Sequence, residues 1–511
     1  MAESKGLPMA AKWDPEKIAK DNAYLQDLEK KPFFSRIRGY AKMTGPAWLQ
    51  SAMTLGAGSA VASVVAGAKY GYDLLWVQPV AMLLGIVMFA ALGNWVLTTG
   101  ERPYKEVSRE LHPSAAFLWA LATIIASIIW HFPQYGLASA VALDLAQAGG
   151  VVGATGAGTY AVRIAAGVLI LCINILTVWN YGSGAKGIKI YETFLRWVIR
   201  IVILAFLFAV IWFFVVRGVS GGRILKGFFG FTVPEGSITV ILGAIGASVG
   251  INMTFLYPYS ILAKGWGKHH KGLARWDLFS SMLLPFVMVT SLIIIASANA
   301  FPNSVADASK LSPAIASKAL ADVLGPAGRI IFDLGFFGMA AGAISTHMVV
   351  CGFTWCEMLG LEYTTKRFRL FALTPSIGIL GVIMPSPLWM PVVASAICLT
   401  MLPIAYIIFF VMNNKRSCIG DAVGRGIRRV AFNLAMLVAI TLATVGAGIK
   451  IKGGVIDKIF PPAKPAAPQA PAAGGADTKP AVVPAVESKG EAPTTQAAEK
   501  KAPAPTTQPA K

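Results

Sequence analysis

The chain has 511 residues, 55% of them hydrophobic and only 14% charged, with 45 Lys and Arg against 25 Asp and Glu. A soluble domain carries about 25% charge. Here the apolar residues fall into many runs of about 20 that are nearly free of charge, so the composition excludes an ordinary soluble fold and reads as an all-α polytopic membrane protein. The net charge of +20 does not point to nucleic acid, because most Lys and Arg lie between the apolar runs, where membrane topology places them.

Residues 1–45 form a basic segment with no apolar core of signal-peptide type, so no cleaved leader is expected. Within it, "KKPFFSRIRGY" predicts a short interfacial helix, with Phe33 and Phe34 toward lipid and Arg36 and Arg38 at head groups. About eleven spans follow between 46 and 450, near 46–66, 74–98, 115–145, 161–180, 191–216, 237–262, 276–299, 327–356, 370–385, 388–411 and 430–449. With the N-terminus cytoplasmic, the inner loops 99–114, 181–190, 263–275, 357–369 and 412–429 hold 17 Lys and Arg and the outer loops about six. That bias predicts N-inside topology, in a plasma or bacterial inner membrane, and an odd span count puts the C-terminus outside. Residues 451–511 turn Pro-, Ala- and Lys-rich and predict a disordered tail. The five cysteines lack metal-type spacing and read as small apolar residues.

Two spans carry unusual polar content. The first contains "TLGAGSAV", with Thr54, Gly56, Ala57, Gly58 and Ser59. The sixth reads "GAIGASVGINMTFLYPYS", with Gly250, Asn252, Thr254 and Pro258. Glycine admits an unwound turn, and Pro258 has no N–H for the Thr254 carbonyl. Such backbone is tolerated at membrane depth only where it lines a cavity. The two spans lie five apart, as expected if spans 1–5 and 6–10 are inverted repeats. Interrupted segments at matching positions then point to a binding site, against the competing reading of close packing through small residues. In the third span His131, Gln134 and Tyr135 flank Pro133 as candidate polar lining; His347 in span eight reads more as a bonded core residue. Met253 and Met401 read as core fillers. Arg196 and Arg200 are expected to snorkel, and Glu357 to be solvated at the inner surface.

"GPAWLQSA…VAGAKYGYDLLWV", "TTGERPYKEVSRELHP", "LGPAGRIIFDLGFFGMAAGAISTHMVVCGFTWCEM" and "LPIAYIIFFVMNNKRSCIG", in that order, resemble the NRAMP family of divalent-metal transporters. The likeness runs from about Gly45 to Gly448. It implies a LeuT-like 5+5 inverted repeat with broken helices 1 and 6, a metal cation as cargo, the lipid bilayer as partner and no cofactor. The chain is a divergent member. Where the family has Asp-Pro-Gly-Asn, with Asp and Asn on the metal, this sequence reads Gly56-Ala57-Gly58-Ser59. The family's metal-binding Met of span six falls on Gly250 by forward matching and on Asn252 by backward matching. The family's span-six histidine appears as Tyr259 and its span-ten glutamine as Met401. Acidic residues of span three appear replaced near Phe132 and Tyr135.

A transition-metal site favours soft or imidazole ligands with a carboxylate, and none is legible in the predicted gap. A bare divalent ion among neutral oxygens alone keeps its charge uncompensated, at a cost of roughly several kcal/mol. The sequence therefore predicts an atypical carrier, moving a hydrated divalent cation such as Mg²⁺ with weak or no proton coupling. Ser59 and Asn252, with Thr54, would be the oxygen donors, and Gly56, Gly58 and Gly250 would admit carbonyls. The alternatives are a non-transporting sensor or scaffold on the same frame, and a carrier of another small solute. No motif joins nucleophile, base and orienting group, so an enzyme is not expected.

Overall fold

The computed structural model describes residues 15–43, 45–181, 185–301, 315–317, 321, 325–363, 365–384 and 389–452. The expected disordered tail, save its first two residues, and the first 14 residues lie outside these ranges.

Two short helices open the chain, α1 (Pro15–Glu29) and α2 (Phe33–Tyr40). In α2, Phe33 and Phe34 are exposed, as a lipid-facing helix requires. The first span is split into α3 (Ala47–Thr54) and α4 (Ala57–Tyr70), bent by 50° across Leu55–Gly56. Next come α5 (Val77–Thr99), the short α6 (Pro103–Glu110), and α7 (Pro113–Ala148), which carries Pro133 in its interior. α8 (Ala157–Tyr181) and α9 (Ala185–Arg217) complete the first five spans, and α10 (Gly221–Phe229) lies between the halves.

The sixth span is split as well, into α11 (Ile238–Ser248) and α12 (Ile251–Ala263). These halves stay close enough to collinear to read as one span of 26 residues. Pro258 sits inside α12 without ending it; the break falls at Val249–Gly250 instead. α13 (Lys271–Leu278), a π-turn at Phe279–Leu283 and α14 (Leu284–Ala300) form the seventh span, and α15 (Pro326–Met358) the eighth.

The ninth differs from expectation. It is α16 (Thr365–Ala372) followed by a 3-10 segment, Thr374–Val382. A 3-10 segment rises about 2 Å per residue against 1.5 Å for an α-helix, so a short stretch covers more depth. The tenth is α17 (Trp389–Leu399) and α18 (Leu402–Asn414), and the last is α19 (Gly426–Ile451). Among the described residues nine helices are long and apolar enough to cross a membrane, ten with the bent α3–α4 pair. The 3-10 ninth segment accounts for the difference from eleven.

The core holds α3, α4, α11 and α12, with α11 against α4 and α12 against α3. Around them pack α5, α7, α14 and α15. α8, α9 and α19 expose Leu169, Leu204, Phe208, Leu434 and Leu442 outward, the apolar exterior a bilayer needs. At one face Gln26 meets His269 (3.3 Å), Lys271 meets Asn94 (3.1 Å), and Lys415 pairs with Glu110. Glu357, expected to be solvated, is buried there; it accepts a hydrogen bond from the Tyr363 hydroxyl (2.8 Å) and lies 3.6 Å from Arg102. At the other face Arg329 grips Asp144 at 2.6 and 2.7 Å, and Trp76 donates to the Thr232 carbonyl (2.8 Å).

Candidate ion site between the two interrupted helices

The two breaks share a construction. Each second half-helix begins on a glycine in extended conformation: Gly56 (φ −109°, ψ −170°) before α4 and Gly250 (φ −99°, ψ 158°) before α12. Both positions lack room for a side chain. A Cβ on Gly56 would stand 2.6 Å from Gln134 Nε2, and one on Gly250 2.5 Å from Asn252 Oδ1. At each break an amide side chain has taken the space that the glycine leaves.

Those amides cap the exposed helix starts. Gln134 Oε1 accepts the Ala57 N–H (2.9 Å), and Asn252 Oδ1 accepts the Met253 N–H (3.0 Å). The positive ends of α4 and α12 are thereby partly satisfied from inside. At the opposing ends, the last carbonyls of α3 and α11 receive hydroxyls. Ser59 Oγ donates to the Thr54 carbonyl (2.6 Å), and Thr54 Oγ1 donates to the Ser248 carbonyl (3.2 Å). A carbonyl keeps a second lone pair, and a donating hydroxyl keeps acceptor capacity. The balance of an uncharged site is therefore tilted toward a cation.

Between the breaks lies a cavity of about 20 Å³, room for roughly one water. Of the residues singled out in the sequence, Thr54, Gly56, Gly58, Ser59, Gly250, Asn252 and Gln134 border it. Ala57 and Thr254 do not. Ala57 contributes its N–H to Gln134, and Thr254 Oγ1 is turned away to accept from Trp119 Nε1 (2.9 Å). Tyr259 is stacked on Phe255 and its hydroxyl accepts the Tyr104 N–H (3.2 Å). Met401 stands at the start of α18, and Tyr135 is buried in α7; neither reaches the cavity. His131 also lies behind it. Its Nδ1 is 2.9 Å from the Ser127 carbonyl, and its ring is 5.3 Å from that of His347.

Four lining groups were not foreseen as ligands. Met53, Met253, Trp130 and His347 all border the cavity. The thioether that both sequence matches lost is supplied by Met253, one and three residues beyond the two positions considered. Its Sδ accepts from Gly250 N–H (3.3 Å) and lies 3.6 Å from Thr54 Oγ1, whose one proton has the Ser248 carbonyl as its alternative acceptor. His347 Nδ1 lies 3.4 Å from the Ser127 carbonyl and 3.5 Å from Asn252 Nδ2. The first contact needs a protonated Nδ1 and the second a bare one, so the tautomer of His347 is tied to Asn252. No Asp or Glu lines the cavity, and among the described residues no group of three or more His, Cys, Asp or Glu is placed to hold a metal. The cavity offers instead two thioethers, one imidazole, two hydroxyls, two amides and carbonyls.

An all-helical bundle whose first and sixth spans are interrupted at mid-depth, with donors gathered between the breaks, is a membrane carrier of LeuT-like inverted-repeat class. Solved structures agree on the fold. A manganese transporter of Eremococcus coleocola superposes with TM-score 0.64 at 13% identity, covering 85% of this chain and 90% of that one. MhsT in complex with L-phenylalanine gives 0.55 at 16% identity, covering 79% and 98%. The sequence profile described as natural resistance-associated macrophage protein-like matches residues 47–447, and the chain belongs to that Nramp family. Relatives include the divalent metal cation transporter MntH of Deinococcus radiodurans, 24% identical over 359 residues, 66% of this chain and 74% of that protein. The metal transporter Nramp5 of Oryza sativa subsp. japonica is 24% identical over 352 residues, 65% and 59% of the two chains.

Proposed function

We propose that this protein carries divalent metal cations across a membrane by alternating access, with the cavity between α3–α4 and α11–α12 as its occluded ion site. The observation that carries this reading is the convergence of Met253 Sδ, His347, Ser59, Thr54, Asn252 and Gln134 on one cavity between two interrupted helices. The relatives named as divalent metal and manganese transporters support the cargo class. Ser59 and Asn252 are the principal oxygen donors, with Thr54 beside them.

The cavity also bears on the choice of ion. The cavity of about 20 Å³ holds roughly one water, whereas a fully hydrated divalent ion carries about six. An ion held here has shed most of its shell, which Mg²⁺ does reluctantly. Thioether and imidazole donors suit softer ions. Both arguments favour a divalent transition metal over the hydrated Mg²⁺ that the sequence suggests; Mn²⁺, the hardest of these ions and the cargo named for a solved neighbour, is the stringent case. The lack of a lining carboxylate supports weak or absent proton coupling, since the usual anionic proton acceptor is not at the site.

Uptake into proteoliposomes tests this. We expect Mn²⁺ flux that falls at least about tenfold in Asn252→Ala and in Met253→Leu, with little acidification of the lumen. Mg²⁺ flux insensitive to Met253→Leu would restore the hydrated-ion reading. Absence of any cation flux from folded protein would favour a sensor or scaffold, and flux of an organic solute alone would favour a different carrier.

A further inference from the structure

The largest cavity described is not the ion site. It has a volume of about 340 Å³ and lies where α1, the start of α9 and the end of α12 meet, within the range of small-molecule pockets. Its charge has the wrong sign for a cation vestibule. Lys42, Lys189, Arg196 and Lys264 line it, against Asp21 and Glu192. Glu192 is committed: both its oxygens accept from Lys264 Nζ at 2.9 Å, in a buried pair. Arg196 uses Nε on the Glu192 carbonyl (3.2 Å) and Nη2 on Thr193 Oγ1 (2.9 Å), two of the five N–H donors a guanidinium carries. Trp266, stacked on His270 at 5.2 Å, supplies a flat wall.

We propose that this pocket binds a phosphate-bearing anion. Several convergent cations around a cavity that size match the tetrahedral set of oxygens of a phosphate, free or esterified, better than a single carboxylate. The adjoining α2 exposes Phe33 and Phe34, the pattern of a helix lying at the membrane surface. That puts the pocket at head-group depth, where basic pockets take phospholipid head groups. The same chemistry would hold a free phosphate or a soluble phosphate ester. Lys264 caps α12, so the occupied pocket sits on the half-helix whose other end opens on the ion cavity.

The test uses the full chain in a neutral detergent. Its melting temperature is followed against inorganic phosphate, short-chain phosphatidylglycerol and phosphatidylcholine, at constant chloride. We expect at least one of the first two probes to raise it by about 2 °C or more, and phosphatidylcholine to do much less. Lys42→Gln/Lys189→Gln/Arg196→Gln should remove most of that rise. Lys264 is kept, so that Glu192 stays paired, and the double variant at the exposed Lys42 and Lys189 should already halve the rise. A response to phosphate alone assigns a soluble anion, and a response to phosphatidylglycerol alone assigns a lipid. No rise, an equal rise with phosphatidylcholine, or a rise unchanged in both variants would overturn the proposal.

Discussion

Gln134 occupies the space that opens because residue 56 has no side chain, and its amide oxygen sits on the first N–H of α4. A glutamate there is isosteric and would place a carboxylate at the same point, stabilised by the Ala57 N–H and the helix start. Gln134→Glu is therefore expected to add the anion that the cavity lacks without disturbing the backbone. Divalent-ion affinity should rise about tenfold or more, the equivalent of roughly 1.4 kcal/mol, and uptake should become dependent on pH. Binding measured by calorimetry, beside flux at two pH values, checks both parts. An unchanged affinity would mean that Gln134 stands outside the ion's coordination shell. At this scale the sequence was a partial guide. Gly56 and Gly250 marked the breaks because only a glycine leaves room for the capping amides. Met253 reads in the sequence as a core filler, and neither of the two registers around the second break puts it at the family's methionine. His347 reads as a bonded core residue because the polar residues of its 33-residue helix, among them Arg329, Asp333, Ser345, Thr346, Thr354 and Glu357, do not mark a single face as the one turned to a cavity.

Among the elements, the spans themselves were legible from hydropathy, and the breaks from glycine and hydroxyl content. The ninth span was not, since apolar runs carry no mark that separates a 3-10 segment from an α-helix. Its packing explains its form. Gly378 and Gly381 lie directly on the backbone of α7 at His131 and Phe132, and a Cβ on Gly381 would overlap the Phe132 carbonyl. In a 3-10 turn residues i and i+3 eclipse, so these two glycines present one bare stripe to α7. Gly381→Ala must push two backbones apart, with a cost of about 1–3 kcal/mol and a melting temperature lowered by several degrees. Gly448, inside α19 with open space around its Cβ position, is the control. Gly448→Ala should be neutral or stabilising by up to about 1 kcal/mol. If both variants melted like the parent, the close contact between α7 and the ninth segment would be wrong.

For the whole molecule, sidedness rests on charge, and the structure groups the charged loops in a way that can be tested. The contacts Gln26–His269, Arg102–Glu357, Lys415–Glu110 and Lys264–Glu192 bring the N-terminal helices and the Lys- and Arg-rich loops to one face. Asp144–Arg329 and Trp76–Thr232 mark the other. Grouping does not by itself say which face is cytoplasmic; that follows from the excess of Lys and Arg, since basic loops resist translocation. Two exposed positions decide it. Thr155 follows α7 on the sparsely charged face, and Lys366 lies in the first turn of α16 on the basic one. Four native cysteines are at least partly buried, and the exposed Cys172 can be replaced by Ser. In that background, a membrane-impermeant maleimide applied to intact cells should label Thr155→Cys and leave Lys366→Cys unmodified until the cells are opened. The reverse pattern would invert the protein. It would also move the basic pocket beside α1 to the outside, away from the leaflet whose anionic head groups the lipid reading draws on, while leaving the cavity between the breaks untouched, because the alternating access proposed above would have that cavity serve either side.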